Sequence, residues 1–502
     1  MRNWKRWLTC GLAAMLTLGG VACGGRGELN DDEGVKDGYE GVEEDYAEGI
    51  TVSKNHKEIY KDTKEGKTRL KISFVDAGFG SDWLRVIATH FVAENPEYWV
   101  YLDGDPGLTE LVATQLEAGM SLPDLYMPLG HDWQTYVFNG WLEEMSDVYN
   151  AKPDGEDGKT VYEKMIPSWQ QYCIASDGET EGKYSYPWSG GVTGIVYNGK
   201  MFEQYGWEVP TTMTELVALC EEIKADTQDK VAPFVYPGTI GGYFDFMGMT
   251  HWLQSSGVEG LENFYSYPSA EIYNPDKQPA KGKMEALEAF TSIFGPEVDY
   301  TLKGSMSKNH MLAQRDFLNG NAAMIVNGGW METEMISELP EGFEMRMMRI
   351  PYMETAQKDE QGNYIAVNWA TQPDIMIIPK QAPQKEAAKK FLVYMAKDAM
   401  LNYFTKYTAT MRPFEYEVEG LETMSKFTQD CANIWKTSIN YIPVETGPLA
   451  NNPKLSAWII GQPYNLLVYG MDNDGTTPSR WCKMEYLEAK GKWKDWLAGS
   501  TD

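Results

Sequence analysis

The sequence predicts an α/β protein built as two lobes, and three observations carry that expectation. The chain has 502 residues, more than one ordinary hydrophobic core accommodates. Between Arg69 and Met127, short apolar runs alternate with helically spaced ones in the order β-loop-α-β-α-β, the order of a parallel sheet with right-handed crossovers. A further apolar strand at Ile377–Ile378 feeds the amphipathic run Glu386–Leu392. Hydrophobic content of 43% and aromatic content of 13% supply the interiors.

The elements follow in order. Arg2, Lys5 and Arg6 precede the apolar run Leu8–Val21, the pattern of a secretory leader, and the run is shorter than the ~20 residues that span a bilayer. It ends at Gly20-Val21-Ala22-Cys23-Gly24-Gly25, which resembles a bacterial lipoprotein cleavage site. The resemblance implies a signal peptide over 1–22 and a lipid on Cys23, anchoring the mature chain outside the cytoplasmic membrane. Arg26 to Ile50 is rich in glycine and acids, so 23–65 is expected to be a solvated, disordered tether. Arg69–Val75 alternates as a buried strand. Trp83, Val86, Ile87, His90 and Phe91 share a helical face, stopped by Asn95-Pro96. Tyr98–Leu102 is a second strand, Leu108–Leu116 a helix closed by Gly119, and Pro123–Met127 a third strand. Val192–Tyr197 reads as a β-branched strand. Thr212 lies three residues before Glu215, a capping-box spacing, and Leu216, Leu219, Cys220 and Ile223 then mark one helix face.

Several stretches, taken together, resemble extracellular solute-binding proteins of family 1, the maltose-binding-protein-like receptors of ABC importers. Val196-Tyr197-Asn198-Gly199-Lys200-Met201-Phe202 and Pro210-Thr211-Thr212-Met213-Thr214-Glu215-Leu216 match the central block, with Met213 in place of the usual Trp. Phe91–Val100, Gly119–Leu125 and Asn139–Met145 match the family's opening elements. Phe317-Leu318-Asn319-Gly320-Asn321-Ala322-Ala323-Met324, continuing to Trp330, matches its most specific motif. Ile378-Pro379-Lys380 and Glu386–Leu392 match the return to the first lobe. The resemblance implies a periplasmic-binding-protein-like fold with a hinge and an interlobe ligand cleft. It places lobe one at 66–192 and 353–402, and lobe two at 193–352 and 403–502. It also implies a monomeric receptor that closes around a small solute, an oligosaccharide by its aromatic supply, and presents it to permease subunits.

A pyranose has an apolar C–H face and a rim of hydroxyls, so it suits flat rings with polar groups nearby. With 17 Trp and 30 Tyr, the candidates are the rings that follow strands or sit in glycine-rich loops. Trp330 follows Asn327-Gly328-Gly329 and coincides with the family's tryptophan. Trp188 precedes Ser189-Gly190-Gly191, and Trp369 precedes a strand. Asp132 and Trp133 follow one strand, Asp76 and Phe79 another. Trp458 resembles a late-helix aromatic near the family's cleft. Each could instead pack a core or sit solvated, and Asn327 could simply end its strand. Met127-Pro128 replaces an aromatic of some maltose-type relatives, so no particular sugar carries over.

A net charge of −29 excludes nucleic acid as partner, since phosphate attraction needs a basic face. Cys173, Cys220, Cys431 and Cys482 form no CxxC pair and lie far from His, so neither a metal nor a cofactor is expected. Cys220, on an apolar helix face, reads as a buried thiol; a disulfide among the other three stays open. A secreted glycan-active enzyme is the competing class. It needs two carboxylates ~5–10 Å apart, and 73 acidic residues make such pairs uninformative. No GxSxG, HExxH, P-loop or dinucleotide motif occurs. A sensor or adhesion lipoprotein on the same fold is the third class.

Overall fold

Two sheets, each wrapped by helices, give the chain its two lobes. The computed structural model describes residues 41–76, 78–129, 133–370, 374–445, 449 and 476–498. The first sheet comprises β1 (Ile50–Val52), β2 (Glu58–Lys61), β3 (Thr68–Phe74), β4 (Tyr98–Gly104) and β5 (Leu125–Met127), ordered β1-β2-β4-β3-β5. β3 is parallel to β4 and to β5, as the alternation of short strands with helices requires. Leu70, Ile72 and Phe74 of β3 point into the core. α1 (Asp82–Glu94) covers that face with Trp83, Val86, Ile87 and Phe91, and Asn95 caps it by donating its side-chain N–H to the Phe91 carbonyl at 2.8 Å. α2 (Leu108–Ala118), closed by Gly119 at φ 63°, and α3 (Trp133–Phe138) cover the other face. Four smaller elements complete this part: α4 (Ser146–Asn150), α5 (Val161–Lys164), α6 (Pro167–Tyr172) and the hairpin of β6 (Ile174–Ser176) with β7 (Glu181–Lys183).

The chain enters the second lobe after β8 (Tyr186–Pro187). There β9 (Thr193–Asn198) is central, flanked antiparallel by two later strands. α7 (Gly199–Tyr205) is capped by the Asn198 side chain. α8 (Met213–Thr227) carries the anticipated capping box, Glu215 N–H to Thr212 Oγ1 at 3.3 Å and Thr212 N–H to Glu215 Oε2 at 3.0 Å. β10 (Ala232–Val235), α9 (Gly242–Tyr265, kinked at Gly257), α10 (Ala280–Phe294), α11 (His310–Leu318), β11 (Ala322–Gly328), α12 (Met331–Met335) and β12 (Met345–Met348) follow, and the sheet order is β10-β11-β9-β12.

The remaining segments pass between lobes. β13 (Val367–Trp369) ends the second-lobe stretch, and β14 (Ile375–Met376) pairs with β8. α13 (Lys385–Met395) and α14 (Asp398–Thr408) pack on the first lobe, with Phe404 against Trp83 at 4.9 Å. α15 (Lys426–Thr437) returns to β12, where Asp430 accepts from Arg346 at 2.6 and 3.0 Å. β15 (Ile439–Tyr441) lies parallel to β13, and α16 (Pro478–Leu497) packs on α10, pinned by the Lys283–Glu485 pair at 2.8 Å.

These placements shift three expected boundaries. The tether does not run to residue 65: β1 and β2 join the first sheet through β4, and Ile59 is buried. Residues 353–365 sit on the second lobe, where Met353 N–H donates to Gln254 Oε1 at 3.0 Å. Residues 403–416 sit on the first, where Glu415 N–H donates to the Lys164 carbonyl at 2.7 Å. Cys173, Cys220, Cys431 and Cys482 are all buried free thiols, so the disulfide left open among three of them does not form.

Candidate functional site

The site grows from the ends of two central strands. After β3 the chain turns through Asp76 and Phe79 into α1, and Trp83 Nε1 donates to the Gly80 carbonyl at 3.2 Å, fixing that turn. After β11 the chain turns through Gly328-Gly329 to Trp330. The indole folds back over Gly328 so closely that a Cβ there would lie 1.9 Å from the ring, which is why only glycine serves. Gly329 N–H donates to the Val192 carbonyl at 2.9 Å, tying this turn to the strand that crosses between lobes.

These turns bring Phe79, Trp188 and Trp330 together. Phe79 lies edge-on to Trp188 at 5.6 Å and to Trp330 at 6.4 Å. Trp188 stacks on Trp83 at 5.1 Å, and Phe404 closes the group at 5.9 Å from both Phe79 and Trp188. From α9, Phe246 and Tyr243 approach Trp330 at 5.6 and 6.5 Å. Burial holds the Tyr243 phenol well above its ordinary range. One lobe thus supplies Phe79, Trp83 and Phe404, the other Trp330, Phe246 and Tyr243, and the crossing segment supplies Trp188. Trp330 is half-buried between the two largest core clusters.

Among the polar atoms at this junction that are buried without a hydrogen-bond partner among the described residues are Trp188 Nε1, Asn327 Nδ2 and Thr410 Oγ1. Asn327 Oδ1 is engaged by Gly328 N–H at 2.8 Å, so its unpaired amide N–H groups are free to donate. A Cβ on Gly329 would meet Thr410 Oγ1 at 3.0 Å, which places that hydroxyl at the same turn. Buried unpaired donors are costly, and clusters of them mark places where another molecule supplies the acceptors. Two open depressions, of about 570 and 520 Å³, lie elsewhere: one around Arg69, Lys71 and Gln381, the other around Lys200, Glu344 and Arg346. Neither includes a ring of the junction, and each is solvent-facing and charged.

The other expected site residues fall outside this group. Trp369 packs its ring on Tyr441 at 6.0 Å, in a separate cluster with Trp252, Tyr265 and Tyr267. Only its backbone meets the crossing strand, its carbonyl accepting from Thr193 Oγ1 at 2.6 Å. Trp133 is fully buried in the first lobe beside Tyr172, on the side of the sheet that α2 covers, so it is a core residue and not a site ring. Asp76 is exposed at the β3 end. Asp132 and Trp458 lie outside the described residues. Sequence reasoning read Trp83 only as part of a helix face and did not name Phe246, Tyr243, Phe404 or Thr410.

Comparison with known proteins agrees with this architecture. The profile of the bacterial extracellular solute-binding proteins matches residues 99–400. The chain is 26% identical over 358 residues to a multiple sugar-binding protein of Streptococcus mutans, covering 70% of this chain and 74% of that one. It is 24% identical over 372 residues to the diacetylchitobiose-binding protein NgcE of Streptomyces coelicolor, covering 69% and 71%. Its fold matches the apo form of RafE from Streptococcus pneumoniae with a TM-score of 0.61 at 15% identity, over 87% of this chain and 100% of that one. The GacH receptor of Streptomyces glaucescens matches equally, at 0.61 and 14%, over 86% and 99%. With the profile spanning more than half of its length on a two-lobed fold, this chain belongs to the bacterial extracellular solute-binding protein family.

Proposed function

We propose that this protein is the sugar-capturing receptor of an ABC importer, holding an oligosaccharide between its lobes. The observation that carries the reading is the junction of Phe79, Trp188 and Trp330, to which both lobes and the crossing segment contribute. Rings of that kind pack against pyranose C–H faces, and Trp188 Nε1, Asn327 Nδ2 and Thr410 Oγ1 meet hydroxyls. The rings cover one another when the lobes touch, so a ligand enters only when the lobes part. It then favours closure by binding both walls at once. The names of the relatives, sugar binders throughout, support the same solute class. The mature chain is anchored through lipid on Cys23, works as a monomer, delivers to permease subunits and performs no chemistry on the sugar.

Calorimetry against raffinose, maltotriose, diacetylchitobiose and xylotriose tests the reading. Saturable binding of at least one, with the sugar recovered unchanged, is the expected result. Turnover of the bound glycan would favour the enzyme class, and silence across the panel would reject a sugar receptor. Labelling with a radioactive fatty acid, lost in Cys23→Ser, tests the anchor.

A further inference from the structure

Arg412 is fully buried, and no carboxylate among the described residues pairs with it. Its Nε donates to the Trp188 carbonyl at 3.0 Å and its Nη1 to the Met395 carbonyl at 2.8 Å, at the carboxyl end of α13. The rings of Tyr186, Phe404 and Phe414 surround the guanidinium at 5.8, 5.8 and 5.2 Å. The countercharge is therefore distributed: the negative end of a helix, the Trp188 carbonyl and three ring faces. A buried cation held so weakly is expensive for stability alone, and an apolar residue would fill the volume at lower cost. Its burial pushes the guanidinium below its usual range, in keeping with that cost.

The bond to Trp188 gives the cost a purpose. Trp188 is the one ring of the site carried on a crossing segment, and its main chain has two holds. Its N–H donates to the Asp374 carbonyl at 3.0 Å, on the other crossing segment. Its carbonyl is held by Arg412, which Met395 roots in the first lobe. Phe404 touches both the guanidinium and the Trp188 ring, at 5.8 and 5.9 Å. We infer that Arg412 is a positioning residue of the binding site: it fixes the Trp188 wall to the first lobe, so that this ring meets the ligand in a set orientation. The inference rests on the reading of the junction as the ligand site.

A second buried cation provides the control. Lys164 caps the same end of α13, donating to the Ala396 carbonyl at 2.8 Å and to Asp398 at 2.6 Å, but it does not touch Trp188. Arg412→Met, Arg412→Lys and Lys164→Met are compared by thermal melting, by calorimetry with the tightest sugar of the panel, and by amide exchange of the ligand-free proteins. Both methionine variants should melt earlier. Only Arg412→Met should lose about tenfold or more in affinity, the size of a lost charge-assisted hydrogen bond, with Arg412→Lys recovering most of it. Only Arg412→Met should speed exchange in residues 186–193 without ligand. Equal affinity and equal exchange in Arg412→Met and Lys164→Met would overturn the assignment, and Arg412 would be a stability residue. If no sugar binds the wild type, the sugar reading fails while the exchange comparison still decides whether Arg412 fixes Trp188. If Arg412→Met does not fold, exchange decides on Arg412→Lys against Lys164→Met: lysine replaces the fixed guanidinium donors by one mobile ammonium, so residues 186–193 should still exchange faster in Arg412→Lys, and exchange equal to that of Lys164→Met would overturn the assignment.

Discussion

Two aromatic groups flank the crossing strands, and they differ in where their members come from. The junction group of Phe79, Trp188 and Trp330 draws on both lobes. The group around Trp369 is built from second-lobe elements and their partners: Trp252 and Tyr265 of α9, Tyr441 of β15, and Ala489 and Trp496 of α16. Rings packed within one lobe stay packed when the lobes part, so their contacts contribute to folding and not to closure. Rings that meet across a movable boundary lose one another on opening, and a ligand can take the vacated contacts. The origin of the rings, rather than their number, separates a core from a clamp.

The largest effect expected from breaking this contrast lies in the one-lobe group. Lys283 and Glu485 pair at 2.8 Å with both side chains buried, and the Lys283 ammonium sits over the Trp252 ring at 5.7 Å. Lys283→Met leaves Glu485 buried without its cation, which costs about 3–5 kcal/mol. Urea unfolding should show that loss while sugar affinity, measured on the folded protein, stays within about twofold. Next comes Trp369→Ala. Truncating a buried tryptophan costs about 3 kcal/mol or more, again in stability and not in affinity. A loss of affinity without a loss of stability would move Trp369 into the site and erase the distinction.

Trp330→Ala sharpens it from the other side. Trp330 is half-buried and contacts Phe79 across the boundary, so truncation should cost about 2 kcal/mol in binding, roughly 30-fold in Kd. Its melting temperature should fall by less than that of Trp369→Ala. Calorimetry and melting on one preparation give both numbers.

How much of this was legible in the sequence follows from the range over which each feature is set. The capping box at Thr212 and Glu215 and the strand β3 depend on neighbours in sequence, and both stand as read. The turn before Trp330 was legible because Gly328-Gly329 leaves room for a ring that folds back on its own turn. Trp133 carried a contrary sign that position after a strand obscured: Trp133, Tyr136 and Val137 recur at i, i+3 and i+4, the spacing of a buried helix face. β1 and β2 looked like tether because they are short and polar, with one fully buried residue, Ile59; pairing with β4 supplies what their composition lacks. Phe404, Thr410 and Arg412 reach the junction from more than two hundred residues beyond Trp188, and no local pattern encodes that return.

The smallest expected effect is one the wild-type protein itself shows, a cancellation on α9, the helix that joins the two aromatic groups. Its first turn sets Tyr243 and Phe246 against Trp330, and Thr250 Oγ1 further along accepts from Trp369 N–H at 3.4 Å. Burial pushes the Asp245 carboxyl up to about 7, against partial relief from Lys283. Burial pushes the His251 imidazole down to about 4, although the Pro351 carbonyl and Glu354 favour its charged form. The folded protein binds the Asp245 proton more tightly than the unfolded chain does, so that term is fully present below pH 3.8 and is lost as pH rises toward 7. His251 has the opposite sign: its term is present above pH 6.5 and is lost as pH falls toward 4. Between about pH 4 and 6.5 the two slopes oppose, and their net contribution stays within about 1 kcal/mol. Asp245→Asn removes one side of the balance. Its stability should then rise by up to about 3 kcal/mol over that window, while His251→Gln should fall as pH rises to 7. Urea midpoints at half-unit pH steps resolve the three curves. An Asp245→Asn curve as flat as the wild type's would mean that α9 does not bury these two groups as described, and that the helix joining core and clamp is more hydrated than its packing indicates.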